Sequence, residues 1–196
     1  AIADAAWTGA HVRVDGWLYV GVPAAEARHI EVEDLQVLSP AAPEPRDLTS
    51  FAAVNASSYL SADQYGSYGP YAAVDGAAET SWVEGSVGAG VGEWIELSFP
   101  GSVELHTLVM DVGFDASADL FQKNSRIKRA TLRFSTGEQT NVEFADVRGL
   151  QEVAMVRAVG ANLETTSVRI IIDEVYPGTK YDDTCLAEIQ VWGVVP

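Results

Sequence analysis

Apolar positions in this chain recur at every second residue, in short runs separated by glycine and proline. In Glu93-Trp94-Ile95-Glu96-Leu97-Ser98-Phe99, the side chains of Ile95, Leu97 and Phe99 fall on one face. Val168, Ile170 and Ile172 do the same within Val168-Arg169-Ile170-Ile171-Ile172. Leu132 with Phe134, Val142 with Phe144, Val153 with Met155, and Ile189 with Val191 are further two-step pairs. Side chains alternate across a strand, so each run predicts a strand with one buried face. Helical spacing is confined to 23–29 and 118–125, each enough for a turn or two. Seventeen glycines and eight prolines supply the turns. Many short strands and almost no helix predict an all-β chain, built as a β-sandwich.

The segment Ser39-Pro40-Ala41-Ala42-Pro43-Glu44-Pro45 interrupts this pattern. Prolines so dense cannot join a central strand and favour an extended linker. Residues 1–45 therefore read as an N-terminal β appendage with its linker, and 46–196 as the main domain. Within the appendage, Val12-Arg13-Val14, Trp17-Leu18-Tyr19-Val20 and Ile30-Glu31-Val32 predict two or three strands. About 40 residues are too few to hold a core unaided. The appendage is expected to dock on the main domain, to pair with a partner protein or another copy, or to be the remnant of a preceding domain.

Length and charge narrow the picture. The 196 residues allow one large β-domain with an appendage and argue against two complete cores. Twelve basic residues against 28 acidic ones leave a formal charge of −16. That charge repels phosphate backbones and anionic headgroups, which disfavours nucleic acid and membrane surfaces as partners. Neutral glycans, cations and basic proteins remain. No apolar run reaches the roughly 18 residues of a transmembrane segment. The single cysteine, Cys185, forbids an internal disulfide framework and reads as a buried thiol. The first residue is Ala1, which suggests a processed or excised chain; an exported protein, secreted or periplasmic, is the expectation.

Most catalytic patterns are missing. The histidines (His11, His29, His106) are scattered, and neither His-x-x-x-His nor Cys-x-x-Cys signals zinc. No Gly-x-Ser-x-Gly elbow occurs. The run Gly88-Ala89-Gly90-Val91-Gly92 precedes a strand, whereas a phosphate cradle needs a helix there. A hydrolase working through two carboxylates is a weaker possibility, because nothing in the acidic spacing separates a pair from a solvated face.

Two segments carry more chemistry. In 72–82, Asp75-Gly76 is a turn former, and Asp75 with Thr80 adds side-chain oxygens to inward-pointing carbonyls. Hard cations take six to eight such oxygens, but an ordinary hairpin turn has the same residues. In 176–189, Tyr176, Lys180, Tyr181, Asp182 and Asp183 gather in a loop leading to the last strand. Aromatic plates beside charged hydrogen-bonders suit sugars; a solvated loop with buried tyrosines is the alternative.

These segments resemble the discoidin-like, or galactose-binding-like, family. More narrowly, the chain is similar to the glycan-binding domain of bacterial NAD-glycohydrolase toxins. The similarity rests on Thr80-Ser81-Trp82-Val83-Glu84-Gly85, Gly90-Val91-Gly92-Glu93-Trp94-Ile95, Lys123-Asn124-Ser125-Arg126, Tyr176-Pro177-Gly178 and Lys180-Tyr181-Asp182-Asp183, and it runs over 48–193. The resemblance implies a jelly-roll sandwich of about eight strands with a structural cation, often Ca²⁺. By position, Asp75, Thr80 and Glu188 would give side-chain oxygens, and Ala72, Ala77 and Ala187 carbonyls. It also implies a ligand at nearby loops, with Trp82, Glu84, Asn124, Arg126, Tyr181 and Asp182 as candidates and Phe114 and Lys180 behind them. The expected function is a non-catalytic glycan-binding module; a protein–protein or assembly module on the same fold is the alternative.

Overall fold

The computed structural model describes residues 11–18, 30–39, 43–154 and 163–195. The chain divides into two units, Ala1–Pro43 and Glu44–Pro196. In the first, β1 (His11–Leu18) and β2 (Ile30–Ser39) pair antiparallel, with an irregularity where Gly16 faces both Val32 and Glu33. Tyr19, Val20 and the helical turn expected over 23–29 lie outside the described residues.

The second unit contains β3 (Arg46–Asp47), β4 (Ala53–Ala56), β5 (Trp82–Val83), β6 (Trp94–Asp111), β7 (Ser125–Phe134), β8 (Gln139–Glu143), β9 (Gln151–Ala154), β10 (Leu163–Tyr176), β11 (Thr184–Leu186) and β12 (Glu188–Val194). Where the resemblance implies about eight strands, ten are formed among the described residues of this unit. The surplus lies in β3, β5 and β11, each too short to show alternation. Val142 and Phe144 are both buried, although Phe144 falls just past β8. Met155 lies outside the described residues.

A helix, α1 (Ala118–Lys123), occupies most of the expected 118–125. Ser117 caps it by accepting the Leu120 N–H at 3.1 Å, and Ser125 ends the segment by entering β7. Three-ten turns at Thr49–Phe51 and Pro70–Ala73 carry no periodic signal.

The strands run in the order β3-β12-β6-β10-β7-β11-β5, with β4 and β9 also on β6 and β8 on β7. Every pairing is antiparallel except β11 with β7. The long strand β6 turns the corner between the layers. Its residues 95–98 pair with β4, and beyond the exposed Pro100-Gly101 its residues 104–111 pair with β12. The result is a jelly-roll β-sandwich. Its core takes Ile95 and Leu97 from the first half of β6, Leu108 and Met110 from the second, Ile170 and Ile172 from β10, and Ile189 and Val191 from β12. Each such side chain contributes about 1.5–3 kcal/mol by leaving water, so the alternating runs supply the main driving force.

Candidate functional site

The 72–80 segment closes on itself around one hydroxyl. Gly76 takes φ +78°, which lets the chain reverse directly after Asp75. Asp75 Oδ1 accepts the Ala77 N–H at 2.9 Å. Thr80 Oγ1 lies 2.9 and 2.8 Å from the two carboxylate oxygens of Asp75, 2.9 Å from Ala77 O and 3.3 Å from Ala72 O. A hydroxyl has one proton, so it satisfies only one of these four acceptors.

Glu188 completes the group from the far end of the sequence. Its Oε2 accepts the Gly76 N–H at 3.0 Å, and the residue is buried. Burial first, then the negative charges of Asp75, Asp47 and Asp111, push its carboxyl up to about 7 against the pull of the Gly76 N–H. Asp75 and Glu188 are therefore neighbours, although 113 positions separate them (188 − 75). Ala187 is placed alongside by its N–H bond to Asp111 O, 2.9 Å. All these donors are hard oxygens, which fits Ca²⁺ and not zinc. Among the described residues, no three His, Cys, Asp or Glu side chains converge on one point. Carbonyls and the Thr80 hydroxyl would have to complete the shell.

Asp111, at the end of β6, is buried with Oδ1 lacking a hydrogen-bond partner. Burial, then the charge and hydrogen bond of Asp115, raise its carboxyl to about 7, while the Gly149 N–H and Arg148 pull the other way. Arg148 is paired with Asp115 through its Nε and with Asp115 O through Nη2.

Most of the residues expected to touch a ligand are instead structural. Trp82 is fully buried in the core, and its Nε1 donates to Ser58 O at 2.9 Å. It has no face to offer a sugar. Glu84 is likewise at 0% exposure; its carboxylate accepts from Thr184 N at 3.2 Å, Ser86 N at 2.8 Å and Ser86 Oγ at 2.9 Å. It brackets the 84–92 loop to β11. Asn124 caps α1 through its Nδ2 on Leu120 O, 2.9 Å. Arg126 spends all five donors internally: three bonds reach Asp146, and Nη1 reaches Asn124 O and Pro177 O at 3.0 Å each. Its guanidinium lies over the rings of Phe121 and Tyr176. Its acidic partner is Asp146, at 2.7 Å.

Tyr181 and Asp182 are exposed. Thr179, Lys180 and Tyr181 donate backbone N–H groups to Gln122 O and Lys123 O, which fixes their loop against α1. Lys180 Nζ lies 4.7 Å from the centre of the Tyr181 ring.

The sequence also holds a tyrosine-rich loop that pattern reading passed over. Tyr59, Tyr65, Tyr68 and Tyr71 crowd into one segment without strand or helix spacing, and that aperiodic density was the available signal. Leu60 N–H bonds to Val83 O and Val83 N–H to Tyr68 O, at 2.9 and 3.2 Å. Both ends of an Ω-like loop are thus fastened to one residue of β5. Within it, Asp63 Oδ1 accepts from Tyr65 N, Gly66 N and the Tyr68 hydroxyl. Tyr68 packs edge-on to Phe114, with ring centres 6.5 Å apart. Residues 59–67 are exposed. Tyr68 joins the Ω-like loop to the Phe114 segment, Gly113 of that segment lies against Phe121 of α1, and α1 holds the Tyr181 loop. The four follow one another along one rim, with Asp63 on the Tyr68 hydroxyl and Asp182 next in sequence to Tyr181. A separate groove of about 430 Å³ lies on the outer face of β12, β6 and β9, between Trp192, Gln190, Thr107, Val109, Glu152 and His106.

Residues 46–192 match the family described as the NAD glycohydrolase translocation F5/8 type C domain. The chain belongs to this family. Solved structures agree on the fold of this F5/8 type C domain. The family 32 carbohydrate-binding module of Clostridium perfringens NanJ, in complex with galactose, is 14% identical, with TM-score 0.56 over 76% of this chain and 98% of that one. CpGH89CBM32-5 of the same organism, in complex with GalNAc-β-1,3-galactose, is 17% identical, with TM-score 0.57 over 74% and 99%. Chitosan-binding module 1 from a chitosanase/glucanase of Paenibacillus sp. IK-5 is 19% identical, with TM-score 0.52 over 75% and 98%. At such identities the likeness establishes architecture. A comparison with curated proteins returned no match. No helix among the described residues is long and apolar enough to cross a membrane.

Proposed function

We propose that this F5/8 type C domain is a non-catalytic glycan-binding module of an exported protein, secreted or periplasmic, with a structural Ca²⁺ beneath its binding rim. The observation that carries the reading is the rim itself, where Tyr68 and Phe114 meet beside Asp63 and where Tyr181 stands exposed beside Asp182. Aromatic faces stack on the C–H side of a pyranose, and fixed carboxylates accept its hydroxyl protons. The architecture shared with modules solved with galactose and GalNAc-β-1,3-galactose supports it. A charge of −16 favours neutral or basic glycans over anionic ones and over nucleic acid.

In this reading Asp75, Thr80 and Glu188 hold the cation with the carbonyls of Ala72, Ala77 and Ala187. The cation would neutralise buried carboxylates and clip the first loop to the last strand, which stabilises the folded state. The rim is shallow, so affinity per site is low, with Kd on the order of 1 mM. Avidity then comes from repetition, either in a host protein or through pairing of the N-terminal strands with another copy or a partner protein.

Calorimetric titration with galactose, N-acetylgalactosamine, their β-1,3 disaccharide and chitosan oligosaccharides tests the proposal. Saturable heat with at least one sugar, weakened in Tyr181→Ala and Phe114→Ala, is the expected result. Silence with every sugar, together with a stable complex with a protein partner, would overturn it in favour of an assembly module.

A further inference from the structure

We propose that Asp111 belongs to the cation-holding machinery, as a third carboxylate standing behind Asp75 and Glu188. The inference rests on the reading of the 72–80 loop and Glu188 as a cation site, and it extends that site to a residue on another strand.

Asp111 closes β6 and is paired in register with Glu188, which opens β12. Residues directly opposite in an antiparallel pair project to the same face, with β-carbons about 5 Å apart. The bond from Ala187 N–H to Asp111 O, 2.9 Å, fixes that register where the chain enters the cradle. Asp111 is only 2% exposed, yet its Oδ1 has no hydrogen-bond partner. A buried carboxylate oxygen left in that state is a standing cost, and native interiors rarely keep one without purpose.

The neighbours answer the carboxyl only in part: Asp115 and the Gly149 N–H bond to it, and Oδ1 is left over. Asp115 is itself acidic, and the Arg148 guanidinium is engaged with Asp115. Glu188, on the other side, is acidic and buried. Arg148 thus serves Asp111 and Asp115, while Glu188 lies among the further carboxylates of Asp111, Asp75 and Asp47 with no cation against it among the described residues. A divalent cation in the cradle supplies the missing positive charge. Because no three acidic side chains converge on one point, Asp111 acts across the strand pair, without entering the coordination shell. It is a positioning residue that deepens the local field felt by the ion.

Calcium and terbium titrations of the whole chain test this, with luminescence of Tb³⁺ sensitised by nearby Trp82 as readout. Asp111→Asn is expected to weaken binding at least tenfold while leaving the chelated protein as stable as before, or more so. A residue that merely filled space would not move the two measurements in opposite directions. Arg148→Gln, with its stability read in the same melts because it leaves the nearly buried Asp115 unpaired, is expected to tighten binding several-fold by removing a competing positive charge. Unchanged affinity in either variant would overturn the role of Asp111 while leaving the cradle standing. Absence of any binding by the unmodified chain, matched by Asp75→Ala, would remove the cradle and this inference together.

Discussion

Gly90 rests directly on Glu84: a β-carbon there would stand 2.5 Å from Glu84 Cγ and 2.6 Å from Cδ. Gly90 also holds φ +65°, where L-residues with a β-carbon are strained. The glycine run that precedes β6 therefore covers a buried carboxylate. Gly90→Ala should lower stability by about 2–4 kcal/mol, combining the backbone term with overpacking. Urea unfolding checks this, and a loss under 1 kcal/mol would mean that the loop simply lifts away.

Arg126 is expected to behave as a pillar of the fold. Arg126→Ala strands Asn124 O and Pro177 O and releases Asp146, which should cost about 2–4 kcal/mol. Arg126→Lys should recover little, because an ammonium cannot reproduce the planar fork. Thermal melts measure the loss, and sugar affinity per folded molecule should stay unchanged.

The two raised carboxyls fix a pH dependence. Glu188 and Asp111 both sit at about 7 in the folded chain, above their ordinary values of 4.5 and 3.8. The folded state thus binds protons more tightly than the unfolded one. The stability this lends is complete below about pH 4 and is lost as pH rises through 7. With the cation chelated, the melting temperature should fall steadily between pH 5 and 8. Saturating Ca²⁺ should flatten or reverse the slope, because the ion binds the deprotonated groups. A chelated protein whose melting temperature is level across that range would contradict the raised carboxyls.

Tyr181 should separate binding from folding. Its ring is partly exposed, and its loop is held by main-chain bonds to Lys123 that a side-chain change leaves intact. Tyr181→Ala is expected to weaken sugar binding about tenfold, the scale of one lost aromatic contact, with little change in melting temperature. Collapse of the fold would remove Tyr181 from the rim.

Long strands were readable because their period-two signal is local and repeated; 93–99 and 168–172 sit inside β6 and β10 as their alternation requires. The cradle was partly readable for the same reason, since Asp75, Gly76, Ala77 and Thr80 lie within one turn. Burial of polar groups was not. Nothing near Arg126 in sequence announces Asp146, twenty positions on, or the Pro177 carbonyl, fifty-one away. Glu84 reads as a surface acid until Thr184 and Ser86 close on it. Asp111 continues the outward-facing positions of β6, so its pattern suggests solvent, yet Asp115 and the loop carrying Arg148 and Gly149 lie against it. Trp82 is a case where residue type misleads, because a tryptophan serves core and platform equally well.

Val83 gives the sheet margin a particular freedom. Since both feet of the 60–68 loop bond to that one residue, a change of length or composition between positions 61 and 67 leaves both bonds in place. The β-scaffold is then a mount on which one part of the proposed rim can be exchanged while its anchorage stays.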